Sequence, residues 1–126
     1  MTTLQLAGCS VLVVEDDYYL ATDAQLALAR AGAIVVGPSA RADESLALLE
    51  RHRPNCAVLD INLGRGPSFD LASALRERSV PFLFVTGYDA SAIPAEFADV
   101  ERLEKPVNAS RLVESVGSLC TAAKSS

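Results

Sequence analysis

The tetrapeptide Val11-Leu12-Val13-Val14 is apolar at every position and runs directly into three acids, Glu15-Asp16-Asp17. A strand with one wet face alternates apolar and polar residues, whereas a short continuous run of branched apolar residues belongs to a strand covered on both faces. Such strands occur in parallel sheets sandwiched between helices, so this run restricts the chain to an α/β architecture. Comparable runs recur at Ala33–Val36, closed by Gly37-Pro38, at Cys56–Leu59, ending on Asp60, and at Pro81–Val85, ending on Thr86. A weaker fifth candidate lies within Val100–Glu104.

Helical spacing fills the intervals. Leu20, Ala24, Ala27 and Ala31 make one stripe that Gly32 stops; Ala42, Leu46 and Leu49 make a second, with Glu44, Glu50 and Arg51 outward. Phe69, Ala72 and Leu75 mark a third helix, with Glu77 and Arg78 on its wet side, and Leu112, Val113, Val116 and Leu119 mark the last. Between them Asp89–Asp99 has a proline at Pro94 and little apolar periodicity, so its helix should be short and marginal. Five strands alternating with five helices predict a doubly wound parallel sheet with right-handed crossovers. A chain of 126 residues is one ordinary domain, with a core over about residues 10–120, a frayed Thr121–Ser126 tail and no output domain.

Composition excludes several functions. The net charge is −5 and the 11 Lys and Arg are scattered, which argues against a nucleic-acid partner. No stretch is long enough to span a membrane. Leu6-Ala7-Gly8-Cys9 looks like a lipoprotein cleavage box, yet neither a basic start nor an apolar run precedes it. Cys9, Cys56 and Cys120 have no metal-type spacing, so a reduced, cytoplasmic setting is expected, with Cys56 a small buried apolar residue.

Ligands of open parallel sheets bind beyond the carboxyl ends of the strands. There stand Glu15, Asp16 and Asp17, then Asp60, Thr86 and Lys105. Crowded carboxylates repel one another unless a cation joins them, and Mg²⁺ is the hard cation that one or two carboxylates and a phosphate hold. The set suits phosphoryl transfer to Asp60, giving an acyl phosphate. Mg²⁺ would sit on Asp16 and Asp60, with the Asn62 backbone carbonyl completing its shell. Lys105 and the Thr86 hydroxyl would bind phosphoryl oxygens.

Val14-Glu15-Asp16-Asp17, Val58-Leu59-Asp60, Phe84-Val85-Thr86-Gly87 and Glu104-Lys105-Pro106 resemble, in order and spacing, the four signature stretches of response-regulator receiver domains, from Ser10 to about Leu119. The resemblance implies a flavodoxin-like sheet of order 2-1-3-4-5. It makes Glu15 and Asp16 the acidic pair, Asp60 the phosphoacceptor, Thr86 the switch hydroxyl and Lys105 the invariant lysine before a cis proline, while Asp17 starts the first helix. It also implies a histidine kinase or phosphotransfer protein as donor, and a downstream protein as target. Phe84-Val85-Thr86-Gly87-Tyr88 and Asn62-Leu63-Gly64 are similar to the FATGUY subgroup, whose members often work as single domains with kinases of the HWE or HisKA2 type. Arg102 stands where most receivers carry an aromatic switch residue, and Tyr88 is placed to gate water near the acyl phosphate. The alternative is a Mg²⁺-dependent phosphohydrolase with an aspartyl-phosphate intermediate, though such enzymes carry an acid where Asn62 stands. His52, between Arg51 and Arg53, reads as a solvated helix end.

Overall fold

A computed structural model describes residues 4–61, 69–87 and 93–125. Its elements follow in the order β1 (Ser10–Val14), α1 (Tyr18–Arg30), β2 (Ile34–Ser39), α2 (Ala42–His52), β3 (Cys56–Asp60), α3 (Asp70–Glu77), β4 (Phe82–Thr86), a 3₁₀ turn (Ala95–Phe97), β5 (Arg102–Glu104) and α4 (Ala109–Ser125). The five strands form one sheet in the order β2-β1-β3-β4-β5, all neighbours parallel.

The continuous apolar runs are explained by the two cores they divide between. Val11, Val13, Cys56, Val58, Leu83 and Val85 face α1 and α4, where they meet Leu28, Leu112 and Val116. Leu12, Val14, Ala57, Leu59, Phe82 and Phe84 face α2 and α3, where they meet Leu49, Leu71 and Leu75. Alternate residues of a strand point to opposite faces, so a sheet covered on both sides needs apolar residues at every position.

Four expectations need correction. Gly37-Pro38 does not close β2, which continues to Ser39. The register passes from Leu12 opposite Val36 to Val14 opposite Ser39, so β2 carries one extra residue there. Gly37 has φ +95°, and a Cβ on it would lie 2.8 Å from the Ser39 nitrogen. An edge strand tolerates both the bulge and the proline, because one of its sides needs no ladder partner. In place of a fifth helix, the described residues hold four α-helices and the short turn after Pro94. The tail expected to fray from Thr121 is helical through Ser125.

The last correction concerns the cysteines. Cys56 is buried as expected, but Cys9 and Cys120 are joined by a disulfide, their Cα atoms 6.1 Å apart. They are 111 residues apart in sequence and meet because α4 packs back against α1 and β3, beside the start of β1. None of the described helices is long and apolar enough to cross a membrane.

Candidate functional site

Three carboxylates gather where the strands end. Glu15, Asp16 and Asp60 each place an oxygen within 4.8 Å of the other two. Glu15 follows β1 directly, and its backbone N–H donates to the Ser39 carbonyl at 2.9 Å. The extra residue in β2 therefore brings the edge strand alongside the first acid of the cluster. Asp60 is the last residue of β3, where Ile61 N–H donates to the Val85 carbonyl at 3.2 Å and holds the strand end in register. Thr86 ends β4, and its carbonyl accepts from the Lys105 N–H at 2.8 Å. Lys105 precedes a cis proline, as expected.

The acids are not equivalent. Asp60 is 3% exposed and Glu15 7%, while Asp16 is open to solvent. Asp17 stands apart: its side chain accepts from Leu20 N–H at 3.0 Å and caps α1, as expected. The Lys105 ammonium bridges the two buried carboxylates, 3.0 Å from Asp60 Oδ2 and 3.3 Å from Glu15 Oε1.

One ammonium serves two buried carboxylates, and the Glu15 carboxyl is displaced from its ordinary value. Burial pushes its carboxyl from 4.5 up to about 7, helped by the hydrogen bond to Asp60 and by that residue's charge. The Asp17 N–H, donating to Oε2 at 3.1 Å, and Lys105 pull the other way. Burial favours the neutral amine of Lys105, but the hydrogen bond to Asp60 and the charges of Asp60 and Glu15 outweigh it and hold the lysine above its ordinary value. A cavity of about 120 Å³ lies behind these groups, with Leu20, Ala24 and Leu112 among its apolar walls.

Oxygen-only donors at this separation suit a hard divalent cation better than a soft one. Burial does most to raise Glu15, and the neighbouring Asp60 adds a smaller part that such an ion would relieve. Of the residues read from sequence, Glu15, Asp16, Asp60, Thr86 and Lys105 come together at one sheet edge. Arg102 opens β5 opposite Phe84, half-buried and two positions from Glu104. Asn62 and Tyr88 lie outside the described residues, as do Leu63 and Gly64. Tyr18 and Tyr19 stand exposed beside the acids in edge-to-face contact, and His52 is exposed at the end of α2.

Sequence reasoning missed two contacts, one beside the site and one away from it. Ser39 lay hidden because Gly37-Pro38 reads as a stop. The other is Arg76 of α3, whose guanidinium donates to the Glu96 carbonyl at 2.6 Å, pairs with Asp99 at 3.2 Å and lies 5.0 Å over the Phe97 ring. It pins the turn that follows Pro94. Its only signal was an arginine on the wet flank of a helix.

The family described as "Response regulator receiver domain" matches residues 11–117. An uncharacterized response regulatory protein of Vibrio cholerae is 32% identical over 111 residues, covering 85% of this chain and 46% of the relative. The chain thus spans about half the length of the curated relatives it matches. Among solved structures, the signal receiver domain of a modulated diguanylate cyclase from Desulfovibrio desulfuricans G20 superposes with a TM-score of 0.81 at 27% identity, covering 92% of this chain and 96% of that one. SdrG from Sphingomonas melonis Fr1 gives 0.78 at 29% identity, covering 94% and 98%.

Proposed function

Because the chain belongs to the response regulator receiver family, we propose that Asp60 accepts a phosphoryl group from a histidine kinase or a phosphotransfer protein, in a Mg²⁺-dependent reaction. A carboxylate oxygen of Asp60 bonds to phosphorus as the phosphohistidine P–N bond breaks; the nitrogen keeps the electron pair and Asp60 becomes an acyl phosphate. The observation that carries this reading is the Lys105 ammonium, set 3.0 Å from Asp60 and 3.3 Å from Glu15 at the end of a parallel sheet.

Lys105 holds the Asp60 carboxylate in place and supplies positive charge for an arriving phosphoryl oxygen. Thr86, buried at the end of the next strand, offers a hydroxyl to another. Glu15, Asp16 and Asp60 would hold Mg²⁺, together with the Asn62 carbonyl; when bound, the ion neutralises charge on the phosphoryl oxygens. Apart from this self-directed chemistry the protein is a signalling module that turns over no separate substrate, working as a shuttle, as a phosphate sink or through its own surface in the cytoplasm. The Phe84–Gly87 run, Tyr88 and Gly64 support membership of the FATGUY subgroup and a donor of the HWE or HisKA2 type. Tyr88 would gate water, and Arg102 would replace the usual aromatic coupling.

Incubation with Mg²⁺ and a small acyl-phosphate donor, followed by intact mass, tests the proposal. One phosphoryl addition is expected on the native chain and none on Asp60→Asn. An unlabelled native chain, or equal labelling of the variant, overturns it.

A further inference from the structure

Three sulfurs converge at the pole of the molecule opposite Asp60. Cys9 precedes β1, Cys56 opens β3 and Cys120 lies towards the end of α4; all three are buried in the core beneath α1 and α4. Cys9 and Cys120 are bonded, and the Cys56 sulfur lies 3.9 Å from that of Cys9. From this geometry we infer that Cys9 and Cys120 are a redox modification site, a reversible staple that fixes the distal end of α4 on the sheet.

The three cysteines divide the chemistry by accessibility. Cys9, Cys56 and Cys120 are all buried, so an external reagent reaches them only as the end of α4 opens, and that opening carries the Cys120 sulfur out with the helix. Desolvation pushes the Cys56 thiol up to about 12, which leaves it protonated and a poor attacker of the neighbouring disulfide. The oxidant is a low-molecular-weight disulfide. Once the end of α4 opens, the Cys120 thiol loses its proton to water and attacks one sulfur of the reagent, expelling one small thiol; the Cys9 thiol, wetted by the same opening, loses its proton in turn, attacks the Cys120 sulfur of the mixed disulfide and expels the second. Two protein thiols and one small disulfide become one protein disulfide and two small thiols, with two electrons passed to the reagent.

The staple acts on a helix that reaches the site. Ala109 and Leu112, at the proximal end of α4, line the cavity behind Glu15, Asp60 and Lys105. Oxidation therefore fixes the far end of an element whose near end forms part of the wall of the acid cluster. This inference rests on the phosphoacceptor reading for the compartment alone: kinase-fed signalling proceeds in a reducing cytoplasm, where protein disulfides are transient.

The full chain is equilibrated in oxidised-to-reduced glutathione mixtures, denatured, alkylated and weighed. Of the three cysteines, one alkylated residue, Cys56, is expected in the oxidised protein and all three in the reduced. Closing so long a loop should raise the Tm by about 10 °C and slow amide exchange in α4 at least about tenfold. Cys56→Ala should keep this response and Cys120→Ala should abolish it; should a variant misfold, the wild type in its two redox states carries the same readout. Three alkylated cysteines after oxidation, a disulfide mapping to Cys56, or equal α4 exchange in both states overturns the inference. Acyl-phosphate labelling in each redox state is a separate arm whose failure bears on the phosphoacceptor reading alone.

Discussion

Replacing Glu15 by Gln should stabilise the metal-free protein at neutral and alkaline pH, although it deletes an ion pair with Lys105. The Glu15 carboxyl titrates near 4.5 in an unfolded chain and at about 7 in the folded one, so the folded state binds the proton more tightly. The stabilisation this provides is fully present below 4.5 and is lost as pH rises towards 7. At about 1.4 kcal/mol per tenfold difference in proton affinity, the loss is roughly 3 kcal/mol. Gln does not titrate, so in urea unfolding with a chelator present the variant should match the wild type near pH 4.5 and exceed it by up to roughly 3 kcal/mol at pH 8. The difference between the two curves isolates Glu15 from the other carboxylates. Mg²⁺ at pH 8 should recover much of the wild-type loss and help the variant less, because the ion takes the place of the proton. Parallel curves from pH 4.5 to 8, or a variant less stable at pH 8, would refute the claim that burying an ionised Glu15 beside Asp60 costs the fold stability.

Two further substitutions test the bulge of the edge strand and the Arg76 clamp. Gly37→Ala places a Cβ 2.8 Å from the Ser39 nitrogen at φ +95° and should cost at least about 1–2 kcal/mol, read as a lower urea midpoint; a neutral result would mean that the bulge beside Glu15 rearranges freely. Arg76→Ala removes an exposed ion pair, a 2.6 Å hydrogen bond and a cation–π contact, together worth about 1–2 kcal/mol. The amides of Phe97, Ala98 and Val100, which donate within the turn, should then exchange faster, and unchanged rates would deny Arg76 its clamping role.

The sheet was legible because burial on both faces leaves no polar position inside a strand. Val11–Val14 and Cys56–Leu59 advertise that condition directly, and the strand ends then deliver Asp60 and Thr86 to one edge. Legibility stopped where tertiary placement overrides local signals. Gly37-Pro38 is a stop in most settings, and only its place on an edge strand lets β2 continue. The Cys9–Cys120 bond joins residues 111 apart, and no spacing rule reaches that far. Nor could the acid run say which carboxylate turns inward. Its residues look alike, yet Glu15 is buried against Lys105, Asp16 faces water and Asp17 caps a helix.

That division of labour bears on how the site can change state. With Glu15, Asp16 and Asp60 ionised, three negative charges face one ammonium, an excess of two. A divalent cation cancels it, which is the electrostatic case for one at this edge. A phosphoryl group on Asp60 would then replace one carboxylate charge with roughly two on phosphate oxygens. The new charge must be met by Lys105, by Thr86 or by backbone N–H groups. Lys105 is already committed to Asp60 and Glu15, so reaching a phosphoryl oxygen would loosen its hold on Glu15 and move the balance of the buried pair. The backbone of Lys105 is bonded to the Thr86 carbonyl, so any such movement bears directly on the ends of β4 and β5.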